Sequence, residues 1–371
     1  MGARKTTLTS LLIFTLVLVS FPQIKVGAQT KTIDVPDDYS TIQEAINDAN
    51  DGDSIFVKKG TYYENITIDK SLSIIGEDKK TTIIEGGNVK PGVTITRDGV
   101  KVTGFTIRNA KSPPLNPMAL AGILLLSANY CNISGNIMTA NDYGINLMSS
   151  SHNIIAGNHV MNGTNGIKLD GSSNNIIVGN NITAHVYDGI ILRNYCNYNN
   201  IVGNTITNNR DGIGVWTTSD FISIGENTIN SNNNAGILLS NLRNSSIVRN
   251  NITNNEIGIW LYTSSDVIEF YNNNFINNTI QVDTFPDYGN VWENDAKGNY
   301  WSNYNGTDNN GDGIGDTPYV IDENNQDNYP LMEIVEIPEF PSWIILPLFL
   351  TATLIGILVR KRLVRTRTSA S

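Results

Sequence analysis

Cysteine is almost absent from this sequence. Only Cys131 and Cys196 occur in 371 residues, which excludes the disulfide-rich scaffold of many small secreted domains. In the repeat described below they lie three turns apart, roughly 14 Å at a strand spacing of ~4.8 Å. A disulfide needs Cα atoms within ~7 Å. We therefore predict two free, partly buried thiols.

Ligands for soft metals are scarce and scattered. A copper-type site needs imidazole or sulfur ligands that converge, and these residues recur at no common spacing, so we predict no copper site from them. The residues concerned are His152, His159, His185, Met118, Met138, Met148 and Met161.

Basic charge is low between the two ends of the chain. Residues 29–342 hold 17 Lys and Arg against 35 Asp and Glu, a net charge of 17 − 35 = −18. This excess of negative charge argues against nucleic acid as a partner. It favours a solvated outer surface or bound cations.

Long hydrophobic runs are confined to the two ends. Residues 1–28 combine a charged start, an apolar run and a small-residue end, which is typical of a signal peptide; an uncleaved anchor is the alternative. Residues 343–359 are apolar and uncharged, the short end of a membrane span, and the basic residues 360–371 follow. We predict export to the extracellular face and anchoring by this C-terminal helix, with its basic tail in the cytoplasm.

A repeat occupies the middle of the chain. Gly-Ile-x-Leu, about ten polar residues and Asn-x-Ile recur at 22–24 residues, and their apolar positions alternate as in strands. Such units must stack to bury their apolar sides. We predict an all-β protein, a right-handed parallel β-helix, with an N-terminal capping helix and one C-terminal transmembrane helix. The repeat glycines are Gly122, Gly144, Gly166, Gly189, Gly212, Gly236 and Gly258.

An asparagine recurs 14 or 15 residues after each repeat glycine. Stacked asparagines can hydrogen-bond from turn to turn, as in other in-register sheets. The alternative is that asparagine is only a loop residue. The predicted column is Asn136, Asn158, Asn180, Asn204, Asn227, Asn250 and Asn272.

The chain divides into seven predicted segments. They are a signal peptide (1–28), an N-terminal cap with the first turns (32–90), the β-helix repeats (91–280), a C-terminal cap whose aromatic residues close the solenoid (281–332), a linker (333–342), the transmembrane helix (343–359) and the cytoplasmic tail (360–371).

Several segments resemble known families. Residues 40–68, with a short helix before Gly-Asp-x-Ile-x-Val and Gly-x-Tyr-x-Glu, resemble the start of pectate-lyase-like and pectin-methylesterase-like β-helices. The repeats of 33–280 resemble the NosD-type periplasmic copper-binding family and the carbohydrate-binding and sugar-hydrolase repeat class. Residues 292–332 resemble the closing module of archaeal NosD-like surface proteins. Pro-Glu-Phe at 338–340 is similar to the archaeal sorting tail, which implies a sorting enzyme and exchange of the tail for a lipid.

One acidic loop is typical of a calcium site. Oxygen ligands at positions 1, 3, 5 and 9, a carbonyl at 7 and glycine at 6 reproduce most of a calcium-binding loop. Position 12 is Tyr319 where that loop has Glu; Asp322 or Asp327 could substitute. The alternative is a solvated turn. The predicted ligands of a structural calcium ion are Asp308, Asn310, Asp312, Ile314 and Asp316.

Alternation along each repeat strand predicts an outward strip. Positions 1 and 3 after the glycine point inward, and positions 2 and 4 point outward. Exposed tryptophan beside charged groups predicts a glycan-binding surface, unless loops cover it. The outward set includes Asn146, Met148, Ile191, Gly214, Leu238 and Ser240. Its predicted glycan-binding residues, named here the strip, are Lys168, Asp170, Arg193, Trp216, Trp260 and Tyr262.

Catalytic signals are weaker. Glycan hydrolysis needs two carboxylates ~5–10 Å apart. Asp188 and Asp211 precede successive repeat glycines, and we place Asp142 in their column. The alternative is turn chemistry, which the equivalent Asn165 favours.

The sequence thus favours an exported surface protein that binds polysaccharide or surface glycan without catalysis. The alternatives are a polysaccharide lyase or glycoside hydrolase, a structural spacer of the cell envelope, and a NosD-like accessory protein for copper maturation. Eight Asn-x-Ser/Thr sequons are present, of which Asn65 and Asn305 are the best candidates for glycosylation.

Overall fold

The computed structural model describes residues 30–87, 89–112, 120–285 and 289–337. The predicted signal peptide, membrane span and basic tail lie outside these ranges. Among the described residues, no helix is long and apolar enough to cross a membrane. All the described secondary structure belongs to one compact unit that begins at Lys31.

The described elements are one helix and many short strands. In chain order they are β1 (Thr32–Val35), α1 (Ile42–Asp48), β2 (Ser54–Val57), β3 (Gly60–Tyr62), β4 (Ile66–Ile68), β5 (Ser73–Gly76), β6 (Thr82–Glu85), β7 (Val93–Ile95), β8 (Lys101–Thr103), β9 (Thr106–Arg108), β10 (Ala121–Leu126), β11 (Asn132–Ser134), β12 (Ile137–Thr139), β13 (Tyr143–Met148), β14 (Ile154–Ala156), β15 (His159–Met161), β16 (Asn165–Asp170), β17 (Ile176–Val178), β18 (Asn181–Thr183), β19 (Asp188–Arg193), β20 (Asn200–Val202), β21 (Thr205–Thr207), β22 (Asp211–Asp220), β23 (Ser223–Gly225), β24 (Thr228–Asn230), β25 (Ala235–Val248), β26 (Asn251–Thr253), β27 (Ile257–Thr263), β28 (Asp266–Tyr271), β29 (Asn274–Ile276), β30 (Ile280–Thr284), β31 (Tyr300–Trp301), β32 (Tyr319–Val320) and β33 (Gln326–Asp327).

The strands from β1 to β31 form three parallel faces along a solenoid of about eleven turns, and β32 and β33 form a separate antiparallel pair. Face 1 runs from β4 through β7, β10, β13, β16, β19, β22, β25 and β27 to β30. Face 2 runs from β1 through β2, β5, β8, β11, β14, β17, β20, β23 and β25 to β28. Face 3 is the eleven-stranded series from β3 to β31. The predicted parallel β-helix is confirmed.

Register follows the repeat. Ile145 pairs with Ile167, Ile167 with Ile190, and Ile190 with Ile213, so each turn places its apolar residues above those of the turn before. These side chains are fully buried in one continuous core. An added Cβ on the repeat glycine Gly189 would lie 2.7 Å from the carbonyl oxygen of Gly212. Glycine is therefore required where neighbouring turns approach most closely.

Helix α1 packs at the N-terminal end, as predicted. Thr41 and Glu44 form a capping box, and Ile42, Ala45 and Ile46 are buried. The carboxylate of Glu64 also accepts hydrogen bonds from the N–H groups of Ile42 and Gln43, each at 3.0 Å. The amphipathic helix thereby covers the first turn.

An asparagine ladder runs through the interior. Asn158 Oδ1 accepts from Asn136 N at 3.0 Å, and the same contact recurs from turn to turn. Asn250 N donates to Asn273, so the predicted member Asn272 is wrong. Asn272 has φ of 55° and takes the left-handed corner that precedes the ladder residue. The ladder is Asn136, Asn158, Asn180, Asn204, Asn227, Asn250, Asn273 and Asn299, and it ends on the carboxylate of Asp327.

Aromatic residues close the C-terminal end, as predicted. Trp292 stacks on Phe270 and Trp301 on Phe275, each with ring centres 4.3 Å apart. Trp301 Nε1 donates to Asp327 at 2.9 Å. Burial raises the pKa of Asp327 to about 6, although the hydrogen bonds it accepts oppose the rise.

Both cysteines are free and fully buried. Burial raises the pKa of Cys131 to about 12 and also raises the pKa of Cys196. Neither thiol is activated as a nucleophile.

Candidate functional site

Face 1 presents the strip on its outer side. Within β19, Ile190 and Leu192 enter the core as predicted and Arg193 is exposed as predicted, whereas Ile191 between them is buried. Four side chains of the predicted outward set are buried, contrary to expectation: Asn146, Ile191, Leu238 and Ser240. In register, Leu238 lies beside Trp260 and Ile191 beside Lys168, so large side chains of adjacent turns cover them.

The aromatic members of the strip form one cluster. The Tyr262 ring meets Trp260 edge-on at 5.2 Å and Trp216 at 6.2 Å. Tyr262 is 44 % exposed, and both tryptophans are half-buried. Trp216 belongs to β22 and the other two to β27, two turns later, so only stacking of the turns brings them together. We call these three residues the aromatic cluster.

The charged members lie on the preceding turns. Lys168 Nζ lies 2.9 Å from Asp170 and 5.4 Å from the centre of the Tyr143 ring. Burial alone would raise the pKa of Asp170, but hydrogen bonds from Lys168 and Asn194 outweigh burial and lower it. Arg193 pairs with Asp170 in the strand register and is exposed.

Asp188 and Asp211 lie directly opposite each other on adjacent strands of face 1. Asp211 is fully engaged: it accepts from Arg210 Nε and from Asn234 Nδ2, at 2.8 and 2.6 Å. Arg210 also stacks over the Tyr187 ring at 4.9 Å. Its guanidinium group lies 3.9 Å from Asp188 Oδ1, beyond hydrogen-bond length.

Asp188 is the least satisfied group of the site. Burial, and then the charge of Asp211, raise the pKa of Asp188 to about 6, against the opposing effects of Arg210 and the Trp216 indole. That indole N–H faces the carboxyl group closely enough to act on it, but neither atom has a partner of hydrogen-bond geometry within the described residues. An added Cβ on Gly214 would lie 2.8 Å from Asp188 Oδ1 and 2.7 Å from Trp216 Nε1. Asp188 Oδ1 and Trp216 Nε1 therefore both lie close to the backbone of Gly214, where there is no side chain.

The two carboxyl groups do not face solvent. The side chain of Asp188 is 3 % exposed and that of Asp211 is 1 % exposed, whereas Arg210, above them, is 40 % exposed. In this arrangement they support the surface of face 1 and do not present an open pair to a glycosidic bond.

The placement of Asp142 in this column is wrong. Tyr143 is the residue that pairs with Asn165, because Asp142 lies one residue further from the repeat glycine. The Asp142 carboxylate instead accepts from the N–H groups of Ser112 and Leu120, at 2.7 and 2.9 Å. It thereby joins the two ends of the proline-rich loop, whose residues 113–119 lie outside the described ranges.

Sequence reasoning missed Arg210 and Tyr187, and it placed Gly214 in the outward set without giving it a role. The signal was present, because Arg210 directly precedes Asp211 and Gly214 is the one glycine among the second positions of the strip's turns. Only the structure shows that Arg210 reaches back toward Asp188 on the preceding turn.

In the predicted calcium loop, the carboxylates accept hydrogen bonds from backbone N–H groups of the same loop. Asp308 accepts from the N–H groups of Gly311 and Gly313, at 2.7 and 2.9 Å, and both glycines have positive φ. Asp316 accepts from Asn309 N at 2.8 Å. Asp327 is buried in the C-terminal cap, and Asp322 bonds Asn325. These contacts fix the loop, and calcium binding by it stays a prediction.

A family model described as periplasmic copper-binding protein (NosD) matches residues 46–224 and 217–306. These matches cover more than half of the chain. The chain belongs to the NosD family.

In the described part of this NosD-family chain, the three histidines do not converge on a metal site. His185 is buried, with both ring nitrogens in hydrogen-bond contact with backbone groups; His152 stacks on Tyr130 at an exposed corner, and His159 lies on face 3. Among the described residues, no three His, Cys, Asp or Glu side chains group as a metal site. Met118 lies outside them. The donor set does not fit copper, and we assign no copper chemistry to it.

A curated relative is the cell surface glycoprotein of Methanothermus fervidus, which is 32 % identical over 136 residues. The match covers 36 % of this chain and 21 % of that protein, so the chain spans about a fifth of the relative's length.

Solved structures of similar fold include pectate lyase Pel9A, with a TM-score of 0.58 and 14 % identity over 72 % of this chain and 81 % of that one. ORF18 of Geobacillus virus E2 has a TM-score of 0.57 and 15 % identity, over 71 % of this chain and 62 % of that one. The catalytic domain of GH87 α-1,3-glucanase with nigerose has a TM-score of 0.51 and 15 % identity, over 76 % of this chain and 71 % of that one. At these identities the likeness concerns the fold alone.

Proposed function

We propose that this NosD-family protein is exported, tethered to the membrane by its C-terminal segment, and binds polysaccharide or surface glycan through the strip on face 1. The observation that carries the proposal is the aromatic cluster, which lies beside paired charges on one exposed parallel sheet. The relative's description as a cell surface glycoprotein supports the location.

The chemistry of the strip suits a sugar chain. Pyranose rings present an apolar C–H side that packs on aromatic rings, while their hydroxyls bond to charged and amide groups at the rim. Without such a partner, Trp216 and Trp260 would leave apolar area exposed to water. Parallel strands ~4.8 Å apart offer contacts at regular intervals along an extended chain.

Catalysis is not part of the proposal. Two residues that cleave a glycosidic bond must touch it, and Asp188 and Asp211 lie beneath Arg210. The pectate lyase and the α-1,3-glucanase share the fold with this chain, and a shared fold does not transfer a reaction. Release of reducing sugar from bound polysaccharide, lost in Asp188→Asn, would contradict the proposal.

Binding is tested by affinity electrophoresis of the full-length protein in gels that contain soluble polysaccharides. Tyr262→Ala and Trp260→Ala should each weaken retention roughly fivefold, because a buried ring contact is worth about 1 kcal/mol and 1.4 kcal/mol is tenfold.

Tyr63→Ala is the matched control, since Tyr63 is 80 % exposed and lies outside the strip. Equal retention of all three variants and the wild type would rule out the strip as the binding surface.

A further inference from the structure

We infer that the glycan bound by face 1 is uncharged and rich in free hydroxyls, and is not a polyuronate or a sulfated chain. This inference rests on the proposed function and names its ligand class. Three features carry it: the charge of the whole molecule, the pairing of the cations on face 1, and the unpaired polar atoms beside Gly214.

The molecule as a whole repels polyanions. Residues 29–342 carry a net charge of 17 − 35 = −18. A field of this sign lowers the local concentration of anionic chains at the surface, most strongly at low salt. A neutral glycan is indifferent to it.

Cations on face 1 are largely neutralised within the protein. Lys168 lies 2.9 Å from Asp170, and Arg210 lies 2.8 Å from Asp211. Of the two cations of the strip, Lys168 is paired with Asp170, and Arg193 has no ion pair among the described residues. A polyuronate carries one negative charge on every sugar and would meet one unpaired cation together with the carboxylates of the existing pairs.

The unpaired atoms match a hydroxyl group. Asp188 Oδ1 lacks a donor and Trp216 Nε1 lacks an acceptor, and the two flank Gly214. A sugar hydroxyl can donate to the first and accept from the second, whereas a carboxylate or sulfate can only accept. The Arg210 guanidinium covers Asp188 from 3.9 Å without a hydrogen bond to it. A sugar hydroxyl that reaches Asp188 must displace Arg210 and break its 2.8 Å hydrogen bond to Asp211.

The ligand class is tested with the full-length protein against neutral mannan and dextran and against polygalacturonate and alginate, at low and high salt. We expect at least one neutral polymer to bind equally well at both salt concentrations, and both polyuronates to be excluded. Polyuronate binding that weakens with salt would overturn the inference and leave the proposed function intact. A failure of all four polymers, and of a wider panel, would remove the proposed function itself.

Two variants test the contact beside Gly214. Gly214→Ala introduces a methyl group at 2.7 Å from Trp216 Nε1 and should reduce neutral-glycan binding by at least tenfold. Gly225→Ala is the matched control on face 2, where the nearest atom lies at 3.4 Å. Trp216→Phe removes the N–H and keeps an aromatic ring, and it should weaken binding severalfold while the unfolding midpoint stays close to that of the wild type. Unchanged binding by Trp216→Phe would overturn the role given to this pair.

Discussion

His185 replaces asparagine in an interior ladder. The backbone N–H of His185 donates to Asn209 Oδ1 at 3.0 Å. The column continues with Asn209, Asn232, Asn255 and Asn278. Gly163 N donates to His185 Nδ1 at 3.3 Å, and the opposite ring nitrogen lies 3.2 Å from the Val160 carbonyl oxygen. The ring accepts at one nitrogen and donates at the other, as an asparagine side chain does, and it does so only when neutral.

The pKa of His185 is lowered from 6.5 to about 4, first by burial, while its backbone hydrogen bonds oppose the shift. The folded state therefore binds fewer protons than the unfolded state between these pH values. Its contribution to stability is complete above pH 6.5 and is lost as the pH falls toward 4. At 1.36 kcal/mol per unit, the loss amounts to about 3 kcal/mol.

His185→Asn should remove this acid sensitivity. Urea unfolding at pH 8 should give similar free energies for the wild type and the variant, and at pH 4.5 the variant should be more stable by about 2 kcal/mol. The pKa values of Asp188 and Asp327 are raised to about 6 in the folded state, so these two groups make the folded state more stable as the pH falls. They are common to both proteins and cancel in the comparison. Parallel pH profiles would show that His185 does not titrate in this way.

At the scale of the element, corner residues and loops carry the conformations that strands cannot. Gly135 and Gly157 take positive φ before the ladder asparagine, and Glu226 and Arg249 take the same conformation in later turns. The corner thus belongs to the fold, although glycine marks it in only some turns. Sequence reasoning placed Asn272 in the ladder because its spacing is compatible with both the corner and the position that follows it.

The loop from Asp308 to Asp316 is the element for which a bound ion is predicted. We propose that it binds calcium, because Asp308, Asn310, Asp312 and Asp316 have the spacing of calcium ligands. No three carboxylates of the described structure group as a metal site, so the proposal requires these side chains to turn toward the ion when it binds. Calorimetric titration of the full-length protein should show heat of calcium binding that Asp312→Ala abolishes, and chelation should lower the melting temperature of the wild type.

Glu323→Ala is the control for this loop, since Glu323 is a nearby exposed acid outside the motif. The same heat from all three proteins, or none from the wild type, would end the calcium proposal.

At the scale of the molecule, each turn depends on its neighbours. A solenoid has two open ends, and this one is closed by α1 at the first turn and by Trp292 and Trp301 at the last. The asparagine ladder connects the turns from Asn136 onward to the C-terminal end, because its last acceptor, Asp327, also accepts a hydrogen bond from Trp301.

Trp301→Ala should destabilise the C-terminal turns by about 3–5 kcal/mol, because it opens a large cavity and removes one of the hydrogen bonds that the buried Asp327 carboxylate accepts. Hydrogen exchange should accelerate in β26 and β29 and stay unchanged in β1 to β8, because coupling in a repeat protein passes between nearest neighbours. Tyr329→Ala is the control, since Tyr329 is exposed. Uniform acceleration along the chain would show that the solenoid unfolds as one cooperative unit.

The sequence by itself determined the solenoid, its 22–24-residue turn, the capping helix and the aromatic closure. These features depend on period and composition: an isoleucine at every turn must be buried, and alternation decides which side of the strand it takes. The strip followed from the same alternation, and the aromatic cluster of Trp216, Trp260 and Tyr262 lies where that periodicity places it.

Only the tertiary structure decided how side chains of different turns meet. Arg210 lies over the column of Asp188 because a long side chain can reach one strand spacing, and no spacing in the sequence specifies that reach. Gly214 matters because a Cβ there would lie 2.8 Å from Asp188 Oδ1 and 2.7 Å from Trp216 Nε1. Burial of Asp188, and with it a pKa of about 6, is a property of the assembled face and of no single repeat.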